Sequence, residues 1–223
     1  MSVIYSDAKD SFVTNAVTNA SWNHAQGSST TDGDFQRSDI GFYAFGVYTG
    51  SFGSRGATDH RCYRSYFLFD LSLESGTVGS ASISIYMDNL GSTTNDYEKA
   101  ILVEATDLDD GVEDHGNVFS GGATWHNDIS DIVSVSTTAG HHVFTMNSDG
   151  IALIQSKVDS GGYMTVGLVG WKNDYNESVP NPGGEYTKLS VRYSDFLGTA
   201  SDPFVDISYV VQKPNATFFG ANF

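Results

Sequence analysis

The sequence predicts an all-β fold, a two-sheet antiparallel β-sandwich of the jelly-roll kind with one short helix. Period-two alternation of apolar and polar residues recurs along the 223 residues, whereas helical periodicity is nearly absent. The 24 glycines and four prolines fall among Ser, Thr, Asn and Asp clusters, the punctuation of many short strands joined by turns. A chain of this length buries one good core without dividing, so residues 1–211 are read as a single sandwich and residues 212–223 as a C-terminal tail.

The clearest strand places Ala81, Ile83, Ile85 and Met87 on one face and Ser82, Ser84, Tyr86 and Asp88 on the other. Before it, Phe67, Phe69 and Leu71 form the inward set of a strand from Arg64 to Leu71, and the Ser-Leu-Glu-Ser-Gly-Thr-Val-Gly segment between the two reads as a turn. Further strands are expected over Ile40 to Tyr48, Ala100 to Thr106, His142 to Met146, Met164 to Gly170, Leu189 to Tyr193 and Val205 to Val210, about eight in all, as a jelly roll requires. One segment departs from the period of two. Ile151, Ile154 and Val158 are spaced as on one helix face, after Asn147-Ser148 and before Gly161-Gly162, which predicts a short helix lying over one end of the core. Asn19 to Thr31, Tyr48 to Arg61, Asp107 to Thr124 and Asp174 to Tyr186 are Gly-rich or polar and read as long loops, which are usually functional or interfacial.

Eleven Lys and Arg against 27 Asp and Glu give a net charge of -16, which repels a phosphate backbone and argues against a nucleic-acid partner. Cys62 is the only cysteine, so no disulfide forms within the chain and the thiol is expected to act as a small buried hydrophobe. The start, Met1-Ser-Val-Ile-Tyr-Ser-Asp7, has neither a basic flank nor an apolar run of signal length, and no segment reaches membrane-spanning length. Synthesis in the host cytoplasm, with no membrane partner, is the expectation.

Five stretches, in this order, carry a family resemblance: Asp10-Ser-Phe-Val13, Arg64-Ser-Tyr-Phe-Leu-Phe-Asp-Leu-Ser72, Ser80-Ala-Ser-Ile-Ser-Ile-Tyr86, Thr124-Trp125-His-Asn127, and Tyr193-Ser-Asp195 followed by Pro203-Phe-Val-Asp-Ile-Ser-Tyr209. Together they resemble the DNRLRE-type domain family, a jelly-roll module of secreted microbial proteins and of phage virion proteins. The resemblance implies the architecture and makes Trp125 a packing residue. Its shared residues are largely packing residues, so it says little about a ligand.

Candidate sites are few. Asp107, Asp109, Asp110, Glu113 and Asp114 offer oxygen ligands of the kind calcium takes, but without the alternate-position spacing of an EF-hand loop. They read first as a solvated acidic loop, and no cofactor is expected, with calcium the alternative. Six histidines lack metal-site spacing, and adjacent His141 and His142 would face opposite ways in a strand. No nucleophile elbow is present, and no catalytic residues are assigned. Trp22, Tyr43, Tyr48, Tyr97, Trp171 and Tyr175 fall in or beside polar loops and are the candidates for stacking on a sugar. Phe218, Phe219 and Phe223 make the tail apolar and suit a neighbour's groove.

These features lead to the expectation of a non-enzymatic structural protein of a phage-like particle: a capsid decoration, head fibre or tail component. Its partners would be further copies of itself and other virion proteins, with host glycans as an added ligand. The alternative is an extracellular microbial carbohydrate-binding module.

Overall fold

Alternating apolar residues need a second apolar face to pack on, and the chain supplies it by folding its strands into two layers around a common core. The computed structural model describes residues 1–7, 10–18, 34–37, 44–54, 57–92, 99–105, 127–135, 138–176, 186–194 and 199–211. The strands are β1 (Ser2–Tyr5), β2 (Ser11–Thr18), β3 (Asp34–Arg37), β4 (Ala44–Ser54), β5 (Ala57–Asp70), β6 (Val78–Ser92), β7 (Lys99–Glu104), β8 (Val133–Ser134), β9 (Gly140–Thr145), β10 (Tyr163–Gly170), β11 (Tyr186–Val191) and β12 (Phe204–Tyr209). The helix α1 (Ser148–Ser160) lies between β9 and β10.

Pairing is antiparallel and runs in the order β1-β12-β6-β11-β4-β5-β10-β7-β8, with β9 added to β6 and the β2-β3 pair added to β5. One layer comprises β1, β12, β6 and β9, and the other comprises β3, β2, β5, β10, β7 and β8. The far halves of β6 and β5 extend beyond the layers. There β11 pairs with Met87 to Ser92 and β4 with Ala57 to Tyr63, so β11 and β4 join the layers along one side. Along the other side residues 127–135 stitch β7 to β9, through Ile129 N–H to the Leu102 carbonyl and Asp131 N–H to the Thr145 carbonyl.

The expected inward sets are the core. Phe67, Phe69, Ile83, Ile85, Val205 and Ile207 are all fully buried, in one cluster with Leu102, Phe144, Val166 and Leu168. The predicted helix is present. Asn147 caps it by accepting from the N–H groups of Asp149 and Gly150, and Gly161 ends it in the left-handed region at φ 65°. Ile154 and Val158 point into the core and Ile151 packs at its margin. In its first turn Gly150 lies so close to Ile129 that a Cβ would stand 2.1 Å from that residue's carbonyl oxygen.

Two expectations are corrected. The segment Tyr48 to Arg61 is no loop: β4 runs on to Ser54, β5 begins at Ala57, and the two pair from Tyr48–Tyr63 to Ser54–Ala57. Its glycines and serines are held by the β5 ladder, with β11 on the other side only as far as Gly50, so ladder hydrogen bonds supply what the small side chains do not. There are also more strands than the eight expected, because β1, β2, β3 and β8 are short or polar and show no long alternating run.

Phe69 lies at the centre of the core, and Phe69→Ala is expected to cost about 3–5 kcal/mol through lost burial and the cavity left behind. Denaturant titration of wild type and variant checks this. A loss below about 1 kcal/mol would mean that the site collapses or that the side chain is not enclosed.

Candidate functional site

The layer containing β5, β10 and β7 is buried on both faces, as the near-continuous apolar run Met164-Thr-Val-Gly-Leu-Val-Gly170 suits. On its outward face lie Arg64, Tyr66, Leu68, Ile101, Val103 and Val169, all buried. Gly167 makes room there for the Tyr66 ring, since a Cβ would sit 3.1 Å from both that ring and Val103. The chain leaving β10 forms a single π-helical turn, Trp171–Tyr175, that packs Trp171 and Tyr175 against Ile101, Val103 and Val169. Their rings stack on each other at 5.0 Å and 18°.

Asp174 of that turn is fully buried and accepts from Arg64 through both oxygens, from Nε at 2.8 Å and from Nη2 at 2.7 Å. This fork-to-fork geometry compensates the burial of both charges. Beside it the Tyr175 hydroxyl donates to Asp128 Oδ1 at 3.1 Å, and Asn147 Nδ2 donates to the Asp128 carbonyl at 2.8 Å. Burial, and then the Asp128 carboxylate, raises the Tyr175 phenol above its ordinary value, so it remains a donor.

A second buried carboxyl lies where the chain crosses from one layer to the other. Ser6 bridges to Phe69, and Asp10 accepts from the Ser6 hydroxyl at 2.7 Å, from Leu68 N–H at 3.1 Å and from Ser194 N–H at 3.3 Å. The Ser194 hydroxyl donates in turn to the Asp7 carbonyl at 2.8 Å. Burial pushes the Asp10 carboxyl up to about 8, against the lowering effect of its three donors. Arg64, Asp174 and Asp10 thus each hold separate chain segments together.

The outward face of the other layer is different. Tyr5, Phe204, His141 and Tyr86 follow one another across β1, β12, β9 and β6 with ring centroids 5.9, 5.5 and 5.2 Å apart. Ser84, small and buried, lies under the row between Phe204 and Val143 in the register. His141 is fixed by its ring nitrogens, Nδ1 against the Ser84 hydroxyl at 3.1 Å and Nε2 against the Ala200 carbonyl at 3.0 Å. At the end of the row Arg192 lies over the Tyr86 ring at 4.6 Å and donates to both oxygens of Asp88. Unlike the groups behind the other layer, this row meets solvent: Tyr5 is 47% exposed, Val143 54%, and His141 is exposed as well.

Of the sugar-stacking candidates, the structure brings together Trp171 and Tyr175, both partly buried in the turn that they bound. Tyr48 falls within β4, opposite Tyr63 and Lys188, and not in a loop. Trp22, Tyr43 and Tyr97, the acidic residues Asp107, Asp109, Asp110, Glu113 and Asp114, and the tail residues Phe218, Phe219 and Phe223 lie outside the described residues. Among the described residues no group of His, Cys, Asp or Glu is placed to hold a metal ion, and no helix is long and apolar enough to cross a membrane. His142 points inward and His141 outward, as adjacent strand residues should. Sequence reasoning missed Asp10, Arg64, Asp174 and the outward row. The signal for the first three is a charged residue inside or beside an apolar run. The row has no local signal.

The chain matches no protein-family model and no curated protein.

Asp10 carries a pH dependence. The unfolded carboxyl takes its proton near 3.8 and the folded one at about 8, so between these values the folded state binds more protons. Its stabilising contribution is complete below the lower value and is lost as the pH rises through the upper one. Asp10→Asn keeps the shape of the protonated form. From about pH 5 to about pH 8 the melting temperature of the wild type is expected to fall relative to that of the variant. A difference that stays constant across that range would contradict the assignment.

Proposed function

We propose that the chain is a non-enzymatic structural protein of a phage-like particle, a decoration, fibre or tail component, and that it works through the outward face of the β1-β12-β6-β9 layer. The carrying observation is the contrast between the two outward faces. Behind β10 and β7, Ile101, Val103 and Val169 are covered by Trp171 and Tyr175, whereas on the other layer Tyr5, His141 and Val143 are exposed, with Phe204 and Tyr86 half-buried between them. An ordered run of rings at a protein surface is the usual mark of a contact site. The buried carboxyls and guanidinium serve the fold, which supports a role in presenting a surface more than one in chemistry.

A second reading, a microbial carbohydrate-binding module, draws on the stacked Trp171–Tyr175 pair beside Asp128. Gradient sedimentation of native source material, probed with an antibody against the chain, separates the two. Co-sedimentation with particles, and antibody label at regular positions on them in electron micrographs, is the expected result. Recovery of all the chain in the free soluble fraction would reject the particle reading.

A further inference from the structure

We propose that the row Tyr5-Phe204-His141-Tyr86 binds a neutral glycan chain whose successive sugar rings turn relative to one another. This rests on the reading that the outward face of the β1-β12-β6-β9 layer is the working surface, and it names the ligand of that face. Sugar rings present apolar C–H faces rimmed by hydroxyls, so their complement is a line of aromatic rings bordered by hydrogen-bonding groups. The register supplies that border. Ser80 and Ser82 of β6, Thr145 of β9 and Asp206 and Ser208 of β12 share the face with the rings and with the exposed Val3 and Val143, and Tyr5 and Tyr86 add phenol groups at the two ends of the row.

Charge narrows the class. The chain carries -16 overall, which repels uronic or sulfated polysaccharides, while the charge at the end of the row is internally matched by the Arg192–Asp88 pair. Shape narrows it further. Successive ring planes along the row differ by 60°, 59° and 89°, so it is a stepped platform, suited to a twisted soluble chain and not to the flat surface of a crystalline polymer. The rings are also held before any ligand arrives: His141 by two hydrogen bonds, Tyr86 beneath Arg192, and Tyr5 against Phe204. Little ordering then remains to oppose binding.

Affinity electrophoresis through gels containing amylose, a β-1,3-glucan, dextran or mannan tests the proposal, with polygalacturonate and heparin as anionic probes and crystalline cellulose in a pull-down. Retardation by at least one neutral soluble glycan is expected, with none by the polyanions and no depletion by cellulose. Tyr5→Ala and Tyr86→Ala should each weaken binding to the retarding glycan about tenfold, the size of one lost ring contact. Leu73→Ser, at a 94% exposed position in the turn between β5 and β6, should leave it unchanged. Circular dichroism of the variants establishes that the sandwich is retained. Retardation by no neutral glycan overturns the proposal, as does undiminished binding by the Tyr5→Ala/Tyr86→Ala double variant. A wild-type dimer in light scattering that the double variant abolishes assigns the face to a second copy and also overturns it. Co-sedimentation with particles is measured separately, so loss of the glycan reading leaves the particle reading standing.

Discussion

A carboxyl group at Asp10 is the point from which both layers take their alignment. The chain leaves β1 in one layer and enters β2 in the other within a few residues, and such a crossing exposes backbone donors that need partners. Asp10 accepts from the N–H groups of Leu68 in β5 and Ser194 beyond β11, and from the Ser6 side chain, so one buried side chain fastens the crossing to two distant segments. The same junction is closed by Ser6 N–H to the Pro203 carbonyl and Asp7 N–H to the Leu68 carbonyl. With the crossing fixed, β1 can only lie beside β12 in a register that turns Ile4 to the core and Val3 and Tyr5 outward. The first ring of the surface row is therefore set by a contact on the far side of the strand.

Arg64 and Asp174 act comparably on the second layer. An ion pair sealed from water gains little over an apolar pair of the same volume, because desolvating both charges offsets most of their attraction. Breaking it is another matter, since either charge left alone in that environment costs several kcal/mol. The pair therefore selects where the Trp171–Tyr175 turn docks more than it adds to stability. Docking there closes the outward face of β10 and β7, while on the outward face of the opposite layer Tyr5, His141 and Val143 are exposed.

What could be read from the sequence divides along the length of the interactions. The inward sets of β5, β6 and β12 and the helix with its Asn147 and Gly161 caps follow from patterns within a dozen residues, and all six residues named for the core are buried. The pairing of β4 with β5 is hidden in the sequence because Gly50, Ser51, Gly53 and Ser54 resemble loop composition, and only their ladder with β5 makes a strand of them. Arg64 was visible as part of a strand, but its partner lies 110 residues away, and Ser194 lies 184 residues from Asp10. No local pattern encodes such pairs. The surface row is harder still, because Tyr5, Tyr86, His141 and Phe204 become neighbours only through the strand order. Of the sugar-stacking candidates, Trp171 and Tyr175 are partly buried and cover Ile101, Val103 and Val169, a packing role that no local pattern reveals.

The claim on which the rest turns is that Asp10 holds the layer crossing as one unit. Native-state hydrogen exchange on Asp10→Ala tests it most directly. The amides of Ser6, Asp7, Leu68 and Ser194 are expected to lose protection together, while those of Ile83 and Val166 in the core strands keep theirs. Unchanged protection at Ser6 and Asp7, with only Leu68 and Ser194 exchanging faster, would contradict it.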